Sequence, residues 1–574
     1  MKQLWKYTKG YRRQTVVAPF MKLIEALLEL LVPLLVAEII DHGVGEGGDP
    51  AIVWRMCGLM VLSATVGMVL SLTSQYFSAQ ASVGFSCALR RDLFKHTLYL
   101  SRESSDKAGA SALLTRLTAD VDRLQNGINL GLRLLLRSPF IVFGAVVMAY
   151  ITDPEMSIIF ALAVPALAVV VFAIILLGIP MFAKVQAKLD KLTRHTRDNL
   201  RGVRVIRAFN HQDEQVEAFE SANTAHAKET IFAGRVSSLL NPLTYVIVNL
   251  AIIMIVKNGG LAVDSGRLTQ GQIIALYNYM SQILVELVKL ANLIVTLTKA
   301  GACAKRISGV LAMPIESDEE HEEIEIDLSA PAIEFRSASF RYRLSKEDSL
   351  SDISFSLGAG KRLGVLGGTG SGKTTLVDLI PRFYDVTAGE VFVFGRNVKD
   401  YPIMDLRKLI AVVPQSSHLF AGTVAENMRW GNPNATDDDI RAALEAAGAL
   451  DFVLAKEGGI EARVEARGAN FSGGQRQRLA IARALIRKPK ILILDDSFSA
   501  LDYATDLLVR SNIAKLEDSP ATVIISQRPS AVKDCDSIVV LDDGEAAGIG
   551  RHDELLASCS VYRETYETQY GGEN

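Results

Sequence analysis

Long apolar runs fill the first three hundred residues, and a run of that kind has few ways to fold. Inside a bilayer no water satisfies the backbone, so only a helix or a closed barrel can cross it. About 20 mostly apolar residues in a helix span a hydrocarbon layer about 30 Å thick. The stretches at about 15–40, 52–77, 127–150, 155–182, 239–256 and 272–297 predict six membrane helices. Pro19 and Pro33 interrupt the first, which neighbouring helices make tolerable. The second continues as a more polar helix towards Leu100. Short connections are expected at Asp41–Pro50, a Gly-rich acidic turn, at Thr152-Asp153-Pro154, and at 257–271.

Loop charge gives the orientation. The two long connections, 79–126 and 183–238, are rich in Lys and Arg, whereas the short ones carry few. Positive loops stay on the cytoplasmic side. Both termini and the long connections are therefore expected inside. The basic start, Lys2 to Arg13, leads into an apolar run without a clear small-residue cleavage site, so no cleavable signal is expected. A net charge of −3 offers nothing to a nucleic acid. Cys57, Cys87, Cys303, Cys535 and Cys559 are scattered without C-x-x-C spacing and read as ordinary thiols, not a disulfide or zinc framework.

At 574 residues the chain needs more than one core, and its second half has another character. After an acidic, Pro-bounded linker at 314–330, short strands begin, so the domains are expected at 1–313 and 331–574. Gly367-Gly368-Thr369-Gly370-Ser371-Gly372-Lys373-Thr374 fits G-x-x-x-x-G-K-[ST], follows an apolar strand (Arg362–Leu366) and opens a helix that carries Thr375. In that context backbone amides cradle phosphates, Lys373 reaches the β and γ oxygens, and the Thr374 hydroxyl binds magnesium. Farther on, Ser472-Gly473-Gly474-Gln475 precedes a basic helix, and the strand Ile491–Leu494 ends in Asp495 and Asp496. A strand ending in Asp supplies the hard oxygen ligand that magnesium needs beside the phosphates. ATP with Mg2+ is the expected cofactor pair.

P-loop and SGGQ at this separation resemble the ATP-binding cassette (ABC) family, whose signature is LSGGQ; Phe471 stands in the first position here. Six spans with two long inner hairpins, followed by such a cassette, resemble an ABC exporter half-transporter. The resemblance implies an all-α transmembrane domain followed by an α/β P-loop NTPase cassette. Ser111–Val121 and Leu200–Phe209 resemble the hairpin motifs of that family, which places coupling turns near Ser101–Gly109 and Asn210–Gln215. It also implies roles by position: Tyr342 stacks on adenine, Gln415 contacts magnesium, and Asp502 is the D-loop residue that crosses to the opposite site. Thr423–Asn427 fits the family pattern as well. Six spans exclude a soluble cassette protein such as a DNA-repair ATPase.

Three positions depart from the pattern. After Asp495 the family has a Glu that acts on the attacking water; this chain has Asp496, one methylene shorter. The switch histidine is replaced by Gln527, which hydrogen-bonds but relays no proton at neutral pH. Ala466 stands where many exporters have Glu. A displacement of about 1 Å costs on the order of a hundredfold in rate, so this P-loop site is expected to be slow or silent. Cassettes of the family pair head to tail, each ATP lying between one chain's P-loop and the other's signature. An intact SGGQ beside a degenerate P-loop site implies a heterodimer whose partner carries the Glu and the His, similar to bacterial heterodimeric multidrug-type exporters. The implied activity is ATP-driven export of hydrophobic or amphipathic small molecules, drugs or lipids, across the bacterial cytoplasmic membrane by alternating access. Alternatives are a peptide or siderophore transporter on the same fold, or an ATP-gated channel or regulatory subunit.

For the cargo, the clues are charges inside the spans: Glu25 and Glu29, Arg133 and Arg137, Glu286 and Lys289. They read either as a carboxylate-lined cavity for amphipathic cations or as ion pairs between helices.

Overall fold

The computed structural model describes residues 2–44, 48–316, 326–343, 345–516 and 519–570. The acidic run of the expected linker, 317–325, and part of the first outer turn, 45–47, lie outside the described residues. The chain forms two units: Met1–Leu98 with Ala108–Met313, and Tyr99–Lys107 with Pro314–Asn574.

The first unit is helical throughout. Among the described residues, five helical stretches are long and apolar enough to cross a membrane: Pro50–Leu98, Ala110–Thr152, Pro154–Arg201, Gln212–Asp264 and Gln270–Leu311. The first expected span is also a helix, Arg12–Glu38, but Lys22, Glu25 and Glu29 put three charges in its middle, which keeps it out of that group. Phe160, Leu167, Ile255, Leu276, Tyr279 and Ile283 are fully buried where these helices meet.

Two boundaries differ from the sequence reading. The helix expected to end near 256 runs on to Asp264, leaving Ser265–Thr269 as the connection. Gly259 invited a break, yet it is a packing glycine: a Cβ there would lie 3.0 Å from Ile273. The third span, in turn, is not one continuous helix. Val121–Leu134 and Arg137–Thr152 are separated by a lapse at Leu135-Leu136. Pro139 has no N–H to donate to the Leu135 carbonyl, so the ladder opens there. Good caps close the outer turns. Asp153 accepts from the amides of Glu155 and Met156, and Thr269 forms a capping box with Gln272.

The second unit holds two sheets. A four-stranded antiparallel sheet contains Ile333–Phe340, Leu350–Leu357, Ala388–Val393 and Arg396–Asn397. The larger sheet has the spatial order Glu545–Gly550, Ser537–Asp542, Arg362–Gly367, Ala521–Ser526, Ile491–Asp495, Ile410–Val413. Only its first pair is antiparallel. Its central strands are near-continuous Ile, Leu and Val runs, as a parallel sheet covered on both faces requires. Because the strands run parallel, their C-terminal ends share one edge, where α/β sheets bind ligands. That edge receives the P-loop after Gly367, Gln415 after Val413, Asp496 after Asp495 and Gln527 after Ser526.

The first expected coupling turn is a short helix, Arg102–Ala108, and residues Tyr99–Lys107 belong to the cassette's unit. Leu100 bridges to Ile315, the Glu316 amide donates to the Tyr99 carbonyl at 2.7 Å, and the Tyr384 hydroxyl donates to Asp106 at 2.5 Å. In the first unit, the second hairpin turns at Asn210-His211, between Val203–Ala208 and Gln212–Ser238. Asn210 adopts a positive φ of 56° there.

Candidate nucleotide site

The strand Arg362–Gly367 ends in a loop that the helix Lys373–Leu379 follows. Gly370 and Gly372 have φ of 87° and 95°, a conformation that costs an L side chain and that glycine adopts freely. The loop curls around the Lys373 side chain, whose ammonium donates to the Gly367 carbonyl at 2.8 Å and to that of Gly368. Burial pulls the Lys373 pKa down, while Asp495 and Asp496 oppose the shift.

A cavity of about 450 Å³ opens beside this loop. Thr369, Gly370, Gly372, Lys373, Thr374 and Thr375 line it from one side. Gly367, Gly368 and Ser371 form the base of the loop behind them, and the Ser371 hydroxyl donates to the Gly368 carbonyl at 3.0 Å. Gln415, Asp495, Asp496 and Gln527 line it from the neighbouring strand ends, and Tyr342 closes the far side. Tyr342 packs edge-on against Phe340 and Tyr384, and its hydroxyl lies 3.1 Å from that of Thr375. One aromatic face is thus fixed beside the loop, suited to stacking on a flat base.

The oxygens needed by a hard cation converge at one end. The Thr374 hydroxyl sits 3.2 Å from an Asp495 carboxylate oxygen. Burial raises the Asp495 pKa, and the Thr374 hydrogen bond and Lys373 pull it back. The Gln415 amide donates to Asp496 at 3.2 Å, which adds a second oxygen-bearing group beside them. A hydroxyl, a carboxylate and a carboxamide around a phosphate cradle match the donor set of magnesium. Asp496 has a φ of 45°, which directs its short side chain from the end of the strand towards Gln415.

Ser472, Gly473, Gly474, Gln475 and Asp502 do not line this cavity. Ser472 caps the helix Gly473–Leu485, with a capping box closed by Gln475. The helix therefore starts with ordered amides and a hydroxyl, an anion-binding end. Asp502 caps the helix Tyr503–Ala514, accepting from the Thr505 amide at 3.0 Å. A Cβ on Gly474 would lie 3.0 Å from the Ala500 carbonyl, so the signature packs tightly against the turn that leads to Asp502.

Sequence reasoning missed several groups, among them Ser345, Glu347, Asp348 and Ser349 in the segment after Tyr342. Asp543 and Gly544 line the cavity from the turn after Ser537–Asp542, and Gly544 has a φ of 81°. Nothing local marked them beyond a D-D-G turn. Asp378, on the P-loop helix, has its pKa pushed up to about 6: burial is the main cause, Asp495 and Asp106 add to it, and Arg102 opposes.

Comparison with known proteins agrees with this geometry. Residues 15–287 match the ABC transporter transmembrane region, and residues 350–499 match the ABC transporter cassette. An uncharacterized ABC transporter ATP-binding protein of Mycobacterium tuberculosis is 35% identical over 570 residues, covering 99% of this chain and 97% of its own length. The ATP-dependent lipid A-core flippase of Photobacterium profundum is 29% identical, covering 99% and 98%. A bacterial Atm1-family ABC exporter solved with ATP bound superposes with a TM-score of 0.82 at 24% identity, covering 98% of this chain and 99% of the other, which shows the shared fold. The chain belongs to the ABC transporter family, as an exporter-type half-transporter that carries its transmembrane region and its ATP-binding cassette in one polypeptide.

Proposed function

We propose that this chain is the degenerate-site half of a heterodimeric exporter that moves amphipathic molecules, lipids foremost, out of the bacterial cytoplasmic membrane, with its cassette in the cytoplasm. One observation carries the reading: Asp496 and Gln527 line the P-loop cavity where the family has Glu and His, while Ser472 caps an intact signature outside it. This chain's P-loop holds ATP and Mg2+ through Lys373, Thr374, Asp495 and Gln415, with Tyr342 against the adenine. Hydrolysis is slow there, because Asp496 is a methylene short of the water and Gln527 relays no proton. This chain's signature completes the other composite site, where the partner's P-loop, Glu and His hydrolyse ATP. ATP closes the cassettes, the segment at Arg102–Ala108 follows, and the cavity turns outward. The lipid class draws support from the flippase relatives, which share this chain's whole length at 27–29% identity.

The test is a gain of function. The double substitution Asp496→Glu with Gln527→His is expected to raise ATP turnover at this chain's P-loop site by about tenfold or more. Turnover is read in the purified complex with the partner's own site disabled. No increase, with ATP binding retained, contradicts the assignment of the slow site to these two residues.

A further inference from the structure

Charges buried at membrane depth are stabilised only when paired, and those of this unit are paired in a graded way. Glu25 is held by Lys22 at 2.6 Å. Arg137 bonds Glu29 at 2.5 Å and Glu286 at 2.8 Å, and Lys289 bonds Glu286 at 2.8 Å. Each of these acids thus has a cation of its own chain. The four groups form a row, Glu29–Arg137–Glu286–Lys289, with two charges of each sign. Its middle is buried, the Arg137 and Glu286 side chains being 10% and 3% exposed. Its ends are open, Glu29 at 38% and Lys289 at 43%.

Both ends face one cavity of about 410 Å³. Asn278 and Gln282 add amides, and Val32 and Val285 add apolar wall. The buried middle ties two helices together, Arg137–Thr152 and Gln270–Leu311, since Arg137 and Glu286 neutralise each other and Ser138 bonds Glu286 at 2.8 Å; Glu29 joins the helix Arg12–Glu38 to them through Arg137. Glu29 and Lys289 stand at the open ends of that row, each with an exposed side. They present one anion and one cation, each with hydrogen-bonding capacity left, to the same space.

We infer that this cavity is a headgroup site for a zwitterionic amphiphile of the phosphoethanolamine kind, with its ammonium on Glu29 and its phosphate on Lys289 and Asn278. A zwitterion brings a counter-charge to both open ends, whereas a singly charged amphiphile does so at one end and covers the exposed side of the other without replacing its water, a penalty for any ligand that fits only half the site. The volume suits a headgroup and the first part of its chains, within the roughly 300–1,000 Å³ of ligand pockets. The inference names the cargo class of the exporter proposed above and rests on that reading.

Its test needs no ATP. Binding of three single-chain probes to the complex in maltoside detergent is measured by calorimetry: lysophosphatidylethanolamine, dodecyl phosphate and dodecyltrimethylammonium. The zwitterion is expected to bind at least about tenfold more tightly than either singly charged probe. Lys289→Gln is expected to weaken the zwitterion and favour the cation, and Glu29→Gln to favour the phosphate. The readout is a rank order within each variant, so a partial loss of folded protein lowers all three signals and leaves the order intact. Equal binding of the three probes, no binding of any, or variants that shift all three alike overturn the site. Failure of ATP-driven transport with the rank order preserved overturns the export reading instead.

Discussion

Asp378 shows how much chemistry a site contains beyond its motifs. The sequence marks Lys373 and Thr374 through spacing alone, but Asp378 is a plain helical aspartate until folding buries it near Asp495 and Asp106. Its carboxyl titrates near 6 in the fold against an ordinary 3.8, so the protonated form is favoured by folding. That contribution is complete below about 3.8 and disappears as pH rises through 6. After discounting for partial exposure, it amounts to about 2 kcal/mol. Asp378→Asn is therefore expected to leave thermal unfolding of the complex unchanged at pH 4, to raise its midpoint at pH 7.5, and to flatten the wild-type decline between them. A variant that is less stable than wild type at pH 7.5 contradicts this account. Asp496 and Gln527 were legible because each sits at a fixed offset from a recognisable strand end. Asp543 and Gly544 were not, because only the sheet order brings the turn after Ser537–Asp542 beside the P-loop.

At the scale of elements, hydropathy located the helices but not their joints. The stretch 257–271 was read as a connection, whereas the helix runs on to Asp264 and the missing side chain of Gly259 makes room for Ile273. Pro139 sits inside an apolar stretch that reads as one span, yet it opens the ladder at Leu135-Leu136. Window averages register apolar content, and neither close packing nor a single missing N–H enters them. The ion pair between Asp120 and Arg306 was equally hidden, since both lie outside the apolar spans. Asp120, at the end of the π-helical segment Arg116–Asp120, receives a bidentate grip from Arg306 of the helix Gln270–Leu311, at 2.6 and 2.8 Å. Asp120 is only 2% exposed. Arg306→Met leaves that carboxylate buried without its cation and is expected to destabilise the protein by about 2 kcal/mol, less than for a fully buried pair because Arg306 is half exposed. Asp120→Asn in the same background is expected to recover most of the loss. Thermal unfolding of the detergent-extracted variants reads both, and a harmless Arg306→Met rules out the pair as a clamp between these helices.

For the whole molecule, the sequence separated a membrane half from a nucleotide half, and the described residues form two such units. The exchange of Tyr99–Lys107 into the cassette's unit was legible only as a motif position, since nothing in its composition says which unit it joins. What one chain lacks is also a fact of this scale. Its signature helix is capped and ordered but lies outside its own P-loop cavity, and in the proposed exporter a second chain completes each ATP site. The central claim is that this second chain is a different one, with Glu and His at the positions of Asp496 and Gln527. The most direct measurement is the mass of the complex extracted gently from its native membrane, with peptide sequencing of every subunit. The account predicts one copy of this chain together with one distinct half-transporter that carries both residues. A complex that contains two copies of this chain and no other half-transporter contradicts it.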